Sequence, residues 1–394
     1  MVKLAIDAIQ EYLREQNVDG WLLFDFRGQN YIAANLFDLN KDTILTRRWF
    51  YFIPQNGEPT LLVHKIERDN FPAPPKKTQY YVSWQELIAR LKDMLNDWKV
   101  IAMEYSPQGA IPCVSCVDGG TLEMIASLGV EVVTSANLVQ FFQSRWTKEQ
   151  VQSHRVAVET LEKIKNQAFE LIGDRIKAGE EVTEFDVQAY ILNCFERLHL
   201  VTDEPPIVAV NANASNPHYS PTTSKFSSIQ KNDLILIDLF AKQNTPQAVY
   251  GDITWMGFVG DTPDKKHLEI FDIVTKARDT GLQFLQDASR QGQTVQGWQV
   301  DKQVREYIAA AGYADYFDHR TGHSLNTHLH GNGVNIDSLE TQDQRDIIPG
   351  VGFTIEPGIY LTEFGVRSEI NVYYSEEGPR VFGPIQKEIV TISV

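Results

Sequence analysis

Residues 234–240 read LILIDLF, apolar at every position but Asp238. A short continuous apolar run of this kind is a buried strand. An ionised carboxylate inside one costs several kcal/mol unless a cation or strong donors meet it. Taken alone, an Asp late in a strand more often turns out to solvent. Here, however, Tyr250-Gly-Asp252-Ile-Thr254 follows, after a turn around Gln243–Pro246. The two strands can pair as a hairpin, and the two-residue alternation lets Asp238 and Asp252 face one side. The pattern then recurs. Glu356 closes GFTIE (352–356), and Glu369 lies in VRSEINVYY (366–374), where Arg367, Glu369 and Asn371 share a strand face.

Two acids side by side repel unless they share a metal or a proton. The stretch HRTGHSLNTHLH (319–330) holds four of the nine histidines. By itself it reads equally as a solvated His-rich loop. Next to two acid pairs it completes an oxygen and imidazole donor set without thiolate, which suits Mn, Fe, Co or Zn. Four carboxylates balance the charge of two divalent cations, so such a site can be buried at tolerable cost.

The rest of the chain narrows the class. At 394 residues two domains are expected. A net charge of −16, with only the short pairs Lys76-Lys77 and Lys265-Lys266 as basic runs, excludes nucleic-acid and anionic-membrane partners. No apolar run approaches the roughly 20 residues of a spanning helix. The N-terminus is interrupted early by acids and places Val2, Ile6, Ile9 and Leu13 at helical spacing, so it is a helix and not a signal peptide. That implies a cytoplasmic protein. Three cysteines give no disulfide framework, and Cys113-Val-Ser-Cys116, with no second ligand pair, reads as two unrelated thiols. Gly331-Asn-Gly333 lacks the third glycine of a dinucleotide fingerprint.

Residues 1–145 predict a small α/β domain: a helix at about 4–15, a strand at 20–26, a hairpin turning at Asn56-Gly57, a helix over 84–98, a strand at 100–105, a helix over 121–129 and a strand at 130–135. Residues 146–394 predict an α+β domain. Thr147 and Gln150 have capping-box spacing ahead of a long helix with Val151, Val158, Leu161, Ile164, Ala168 and Ile172 on one face. Further helices are expected from Thr183 to Leu198 and near 265–287 and 298–311, the last stopped by Gly312.

In these contexts the chain resembles the metallopeptidases of the pita-bread fold, a family that includes methionine aminopeptidase, aminopeptidase P, prolidase and the metal-free relative creatinase. The resemblance is strong over about 150–394. It is weaker over 1–140, where the size and element order are similar to a creatinase-like N-terminal domain. It implies two divalent metal ions, manganese foremost, on five ligands in chain order: Asp238 and Asp252 (DLF, GDIT), His323 (TGHS), Glu356 (TIEPGIY) and Glu369 (VRSE). It further implies that His218, in Asn216-Pro-His-Tyr219, and His330 hold the peptide and stabilise the tetrahedral intermediate. His319 matches a third pocket histidine of the aminopeptidase P and prolidase branch, Arg367 orients the neighbouring carboxylates, and His328 matches nothing. The implied reaction is metal-assisted hydrolysis with Glu356 as proton shuttle. The implied activity is foremost that of an aminopeptidase releasing the N-terminal residue from Xaa-Pro peptides, with an Xaa-Pro dipeptidase second, and the implied assembly is a homodimer.

Two stretches depart from the family wording. Trp255 stands where many relatives have Arg, and Ser324-Leu-Asn-Thr327 replaces Gly-Ile-Gly-Leu, narrowing the approach of backbone to a ligand. Arg345 is a candidate cation for a substrate carboxylate. The alternatives are a creatinase-like C–N hydrolase and a catalytically inactive peptide-binding relative; members of both kinds have lost metal ligands that this chain keeps.

Overall fold

The computed structural model describes residues 5–37, 39, 43–71 and 74–394. Val2 and Leu4 of the expected first helix lie outside them. The chain divides into two compact units, Met1–Gln143 and Ser144–Val394.

The first unit runs α1 (Ile6–Glu15), β1 (Gly20–Asp25), α2 (Tyr31–Leu36), β2 (Trp49–Pro54), β3 (Thr60–His64), β4 (Lys77–Tyr81), α3 (Trp84–Leu95), β5 (Val100–Met103), α4 (Gly119–Ala126), β6 (Glu131–Thr134) and α5 (Ala136–Val139). Its strands form one mixed sheet in the order β4-β3-β2-β1-β5-β6. All of β1 is buried, because its alternating side chains feed two cores. Trp21 and Leu23 enter one, Leu22 and Phe24 the other. Gly57 turns the β2–β3 hairpin at φ 97°, where a side chain would be strained.

Beneath β1 lies a carboxylate that no catalytic role requires. Glu104 is fully buried and accepts from Trp21 Nε1 (2.6 Å), Asn30 Nδ2 (2.7 Å) and Ser135 Oγ (3.2 Å). Burial pushes its pKa up to about 7 against those three donors. The folded state therefore holds a proton that the unfolded chain releases at lower pH. This stabilisation is full below about pH 4.5 and is lost as pH rises towards 7. The first unit is expected to lose up to about 3 kcal/mol across that window. Glu104→Gln is expected to flatten the dependence. Hydrogen exchange of β1 and β5 amides across pH tests this, and equal slopes in both proteins would refute it.

The second unit begins on α6 (Lys148–Lys177), where Thr147 and Gln150 exchange the two bonds of a capping box. Val158, Leu161, Ile164, Ala168 and Ile172 enter the main core, while Val151 packs on a smaller cluster. α7 (Glu184–Arg197), β7 (Leu200–Val201), β8 (Ile207–Val210), β9 (Leu234–Gln243), β10 (Gly251–Val259), α8 (Lys265–Arg290), α9 (Gly297–Ala310) and β11 (Ser324–Leu325) follow. The chain ends on β12 (Gly352–Ile355), β13 (Gly358–Tyr360), β14 (Gly365–Arg367), β15 (Ile370–Ser375), β16 (Gly378–Phe382) and β17 (Val390–Ile392). One sheet is ordered β17-β10-β9-β7 with β8 also on β9, another β11-β12-β15-β16, and β13–β14 form a ribbon. β10 lies tight against α6 because Gly257 has no side chain: a Cβ there would stand 2.5 Å from the Phe169 ring.

The single strand expected over 366–374 is two. Arg367 ends β14, which pairs with β13, and Ile370 starts β15, which pairs with β12. Ser368 makes the transfer: its N–H donates to Pro357 O (3.3 Å) and its hydroxyl accepts from Arg278 Nη1 (2.6 Å). The ridge Arg367, Glu369, Asn371 survives the break, since all three side chains reach β9 or β10.

Candidate metal centre

The β9–β10 register pairs Asp238 with Thr254 and Phe240 with Asp252. The two aspartates are thus diagonal neighbours on one face, not direct opposites. Thr254 Oγ1 donates to Glu369 Oε2 (2.9 Å), and Asn371 clamps the Asp252 backbone, accepting from its N–H at 3.0 Å and donating to its C=O at 2.6 Å. His323 enters from the opposite sheet. Its N–H donates to Thr354 Oγ1 (3.0 Å), and that hydroxyl donates to Glu356 Oε1 (2.8 Å). One threonine therefore sets the positions of both.

Nδ1 of His323 lies 3.3 Å from the Ser324 carbonyl, which places the proton there. Nε2 faces Asp252 Oδ2 (3.4 Å) and Glu356 Oε1 (3.3 Å), carboxylates that outweigh its burial and raise the imidazole pKa, so it is the nitrogen a cation would take. Ligand atoms of Asp252, His323 and Glu369 all lie within 4.8 Å of one another. Asp238 joins them through Arg367, whose Nη2 donates to Asp238 Oδ2 at 2.5 Å. The same guanidinium donates to Thr254 Oγ1 (3.1 Å) and Tyr360 Oη (3.1 Å).

The charge balance of this cluster points to cations. Asp238, Asp252 and Glu369 are buried, and one oxygen of each (Asp238 Oδ1, Asp252 Oδ1, Glu369 Oε1) accepts no hydrogen bond. A buried acceptor left so costs about 1–3 kcal/mol, more for a charge. Four carboxylates face one guanidinium. Burial pushes Asp238 up to about 7 despite Arg367, and burial with the neighbouring acids raises Asp252 and, far more, Glu369. Only Glu356 moves the other way: His323, His319 and Arg367 outweigh its burial. A divalent cation would supply what these oxygens lack, and the oxygen and imidazole donors present fit one.

A pocket of about 530 Å³ opens over the cluster. His218 and His330 stand on its wall, exposed, with the His330 ring 4.4 Å from that of His323. His319 also lines the pocket, but both its ring nitrogens are committed: Nδ1 to the Arg320 carbonyl (2.7 Å) and Nε2 to the Tyr360 hydroxyl (2.6 Å). Burial pushes its pKa down to about 4, so it is a neutral strut linking to Arg367 through Tyr360. His328 is exposed and away from the lining.

Against known families, residues 153–376 match the model of metallopeptidase family M24, a span that holds all five expected ligands. The chain belongs to metallopeptidase family M24. An Xaa-Pro dipeptidase of Lactobacillus helveticus is 30% identical over 236 residues, 58% of this chain and 57% of that protein, so the match spans little more than half of that relative. An Xaa-Pro dipeptidase of Pyrococcus furiosus is 28% identical over 284 residues, 68% of this chain and 77% of that protein. Among solved structures, a dipeptidase from Mycobacterium ulcerans superposes with a TM-score of 0.73 at 20% identity, covering 99% of this chain and 97% of that one. The M24 fold, pita-bread domain and smaller α/β domain together, therefore extends over the whole chain.

Both departures from the M24 wording lie off the pocket. Trp255 points to the opposite face of β10 from Asp252 and Thr254, packs into the main core and carries Lys165 Nζ 3.1 Å over its ring; Lys165 in turn bonds Glu162 at 2.6 Å. Ser324 is buried, and its hydroxyl accepts from the Gly333 N–H (3.0 Å). The hydroxyl occupies space that side chains at 331 and 333 would need: a Cβ on Gly333 would stand 2.6 Å from Ser324 Oγ, and one on Gly331 2.8 Å. The Gly-Asn-Gly segment thus makes room for Ser324. Gly333→Ala is expected to cost about 1–3 kcal/mol by overpacking, and Ser324→Gly in the same chain to recover part of it. Thermal unfolding of the two single variants and the double variant checks this; additive losses would rule out the pairing.

Arg345 is not available to a substrate carboxylate. It is buried and closed on Asp343 (2.6 and 2.9 Å) and on the carbonyls of Asn332 and Gly333, so it buttresses the Gly-Asn-Gly segment. Thr254, Thr354 and Tyr360 escaped sequence reading. The two threonines sit two residues from Asp252 and Glu356, so strand alternation alone marked them. Tyr360 carries no such mark.

Proposed function

We propose that this chain is a metal-dependent peptidase acting on Xaa-Pro substrates, with two divalent ions, manganese foremost, on Asp238, Asp252, His323, Glu356 and Glu369. The observation that carries this reading is the convergence of ligand atoms of Asp252, His323 and Glu369 within 4.8 Å of one another, with an unpartnered oxygen on each of these two acids and on Asp238. The dipeptidase names of the relatives support the substrate class.

Bound divalent ions would supply Lewis acidity and a nucleophile at neutral pH. The chain's own groups do the rest. Glu356, held by Thr354 and kept ionised by its neighbours, takes the proton of the attacking water and passes it to the leaving nitrogen. His218 and His330 donate to the substrate carbonyl from the pocket wall. Arg367, fixed by Asp238, Thr254 and Tyr360, holds the carboxylates in register. His319 acts through Tyr360 as a positioning residue. Residues 1–145 then form the creatinase- or prolidase-like domain and 146–394 the catalytic one. Three free cysteines fit a cytoplasmic setting, and the homodimer is part of the same reading.

The test is metal analysis of the purified protein followed by assay on Xaa-Pro peptides. One to two ions per chain are expected, with proline-bond cleavage that a chelator abolishes and Mn²⁺ restores. Loaded protein that cleaves no Xaa-Pro bond, or chelated protein that cleaves as fast, overturns the proposal.

A further inference from the structure

α7 buries two polar side chains one turn apart, Glu184 and Gln188. Residues four apart share a helix face, and neither side chain belongs to the metal centre or lines the pocket. A buried carboxylate is costly unless its oxygens are met. Those of Glu184 are met by five bonds, all from neutral donors. Oε1 accepts from the Val210 N–H (2.7 Å) and Asn213 Nδ2 (2.9 Å). Oε2 accepts from the Tyr219 hydroxyl (2.6 Å), the Ser227 N–H (2.7 Å) and Asn213 Nδ2 (3.1 Å). Gln188 has the opposite polarity: its Nε2 donates to the Pro206 carbonyl (2.8 Å) and the Ser220 hydroxyl (3.0 Å).

These partners bracket His218. Its imidazole stands exposed on the pocket wall and, among the described residues, makes no hydrogen bond. Its place is therefore set by its backbone. The His218 N–H donates to Asn216 Oδ1 (3.0 Å) and the Tyr219 N–H to the Asn216 carbonyl (2.9 Å), a local turn that fixes the shape of the segment but not its position. The position comes from α7. Tyr219 hangs on Glu184 and Ser220 on Gln188, the two residues directly after His218, while Asn213 ties the chain ahead of it to Glu184 again. Through Pro206 and Val210 the same two side chains grip both ends of β8, whose Ile207 also lines the pocket.

Resting on the peptidase reading above, we propose that Glu184 and Gln188 are positioning residues for the reaction: through Tyr219 and Ser220 they set where His218 presents its ring to the substrate carbonyl. The chemistry of the contacts makes each residue type necessary. Glu184→Gln keeps the size but puts an NH₂ group where every neighbour donates. Whichever way the amide turns, either the Val210 N–H or the Ser227 N–H meets a nitrogen in place of an acceptor. Gln188→Leu keeps the helix and the bulk but removes the donor that holds Ser220 and Pro206.

The experiment is a double-mutant cycle on metal-loaded protein: wild type, E184Q, Q188L and H218A, with E184Q and Q188L each also made in the H218A background, assayed on an Xaa-Pro dipeptide. A reacting group displaced by about 1 Å costs up to about 100-fold in rate, so E184Q is expected to lower kcat/KM by about 10–100-fold and Q188L by less. The loss should fall mainly on kcat, because the carbonyl oxygen gains its charge only as the intermediate forms, and metal content should stay at the wild-type level. With His218 removed there is nothing left to misplace, so both changes should then cost almost nothing. Equal fold-losses in the two backgrounds, or loss of metal from E184Q, overturn the proposal. Should E184Q not fold, Q188L decides by the same cycle. If loaded wild type cleaves no Xaa-Pro bond, the peptidase reading fails and the placement is read by NMR of metal-free protein. The His218 ring resonance, identified by its absence in H218A, should move in Q188L while that of His64 in the first unit does not. An unmoved His218 resonance refutes the placement.

Discussion

Glu369→Gln is expected to abolish turnover while making the metal-free protein more stable than the wild type. Glu369 is buried, one oxygen accepts nothing, and three other carboxylates press on it, so its pKa is raised far above the carboxylate range. Gln keeps the size and can still accept from Thr254 Oγ1, but it carries no charge for a cation to meet. Metal content should fall and kcat/KM should drop by at least about 10³, on the scale of losing an essential electrostatic group. Without metal the same change removes a carboxyl that the cluster holds protonated although the unfolded chain ionises it at neutral pH, a gain of about 1–3 kcal/mol. Metal analysis, kinetics and calorimetric melting in chelator read the three effects. A metal-free E369Q that melts below the wild type would show that the empty cluster is not strained by its charge.

Gly322→Ala is expected to damage the site severely for a single added methyl. A Cβ at Gly322 would stand 2.0 Å from the Thr354 carbonyl oxygen and 3.0 Å from its hydroxyl. The glycine cannot retreat, because its N–H and C=O are both bonded to Ile336 (3.1 and 3.0 Å) on the other side. Thr354 must move instead, and it anchors His323 by two bonds and Glu356 by one. Overpacking against backbone here should cost about 3 kcal/mol or more and weaken metal binding with it. Melting in chelator and metal titration check the two separately. Wild-type values in both would mean that β12 gives way without carrying the ligands.

The Glu104 pH window and the Ser324–Gly333 pair are smaller effects. Neither was legible in the chain. Glu104 ends VIAME as an unremarkable acid, and only the sheet brings Trp21, Asn30 and Ser135 onto it. Ser324 looked like an intrusion into the site because the family has glycine there. In the fold it turns towards Gly331 and Gly333, and those glycines are explained by it.

The sequence by itself determined the donors and their faces. An apolar strand with one acid has two sides, and period-two alternation leaves no choice about which residues share one. Hence Asp238 with Asp252, and Arg367 with Glu369 and Asn371, were readable in advance, as were the helices whose capping boxes are local. What only the tertiary structure decided depends on contacts between residues far apart in the chain. Whether an arginine faces a pocket or a buttress is one such matter: Arg345 looked available and is closed on Asp343, whereas Arg320, which nothing in the chain singled out, lines the pocket with its guanidinium unpaired among the described residues. Strand pairing is another. The Ser368 hydroxyl at the transfer is held by Arg278, 90 residues away, and Tyr360 joins Arg367 to His319, 41 residues before it, so the run 366–374 by itself showed neither the switch from β13 to β12 nor that link.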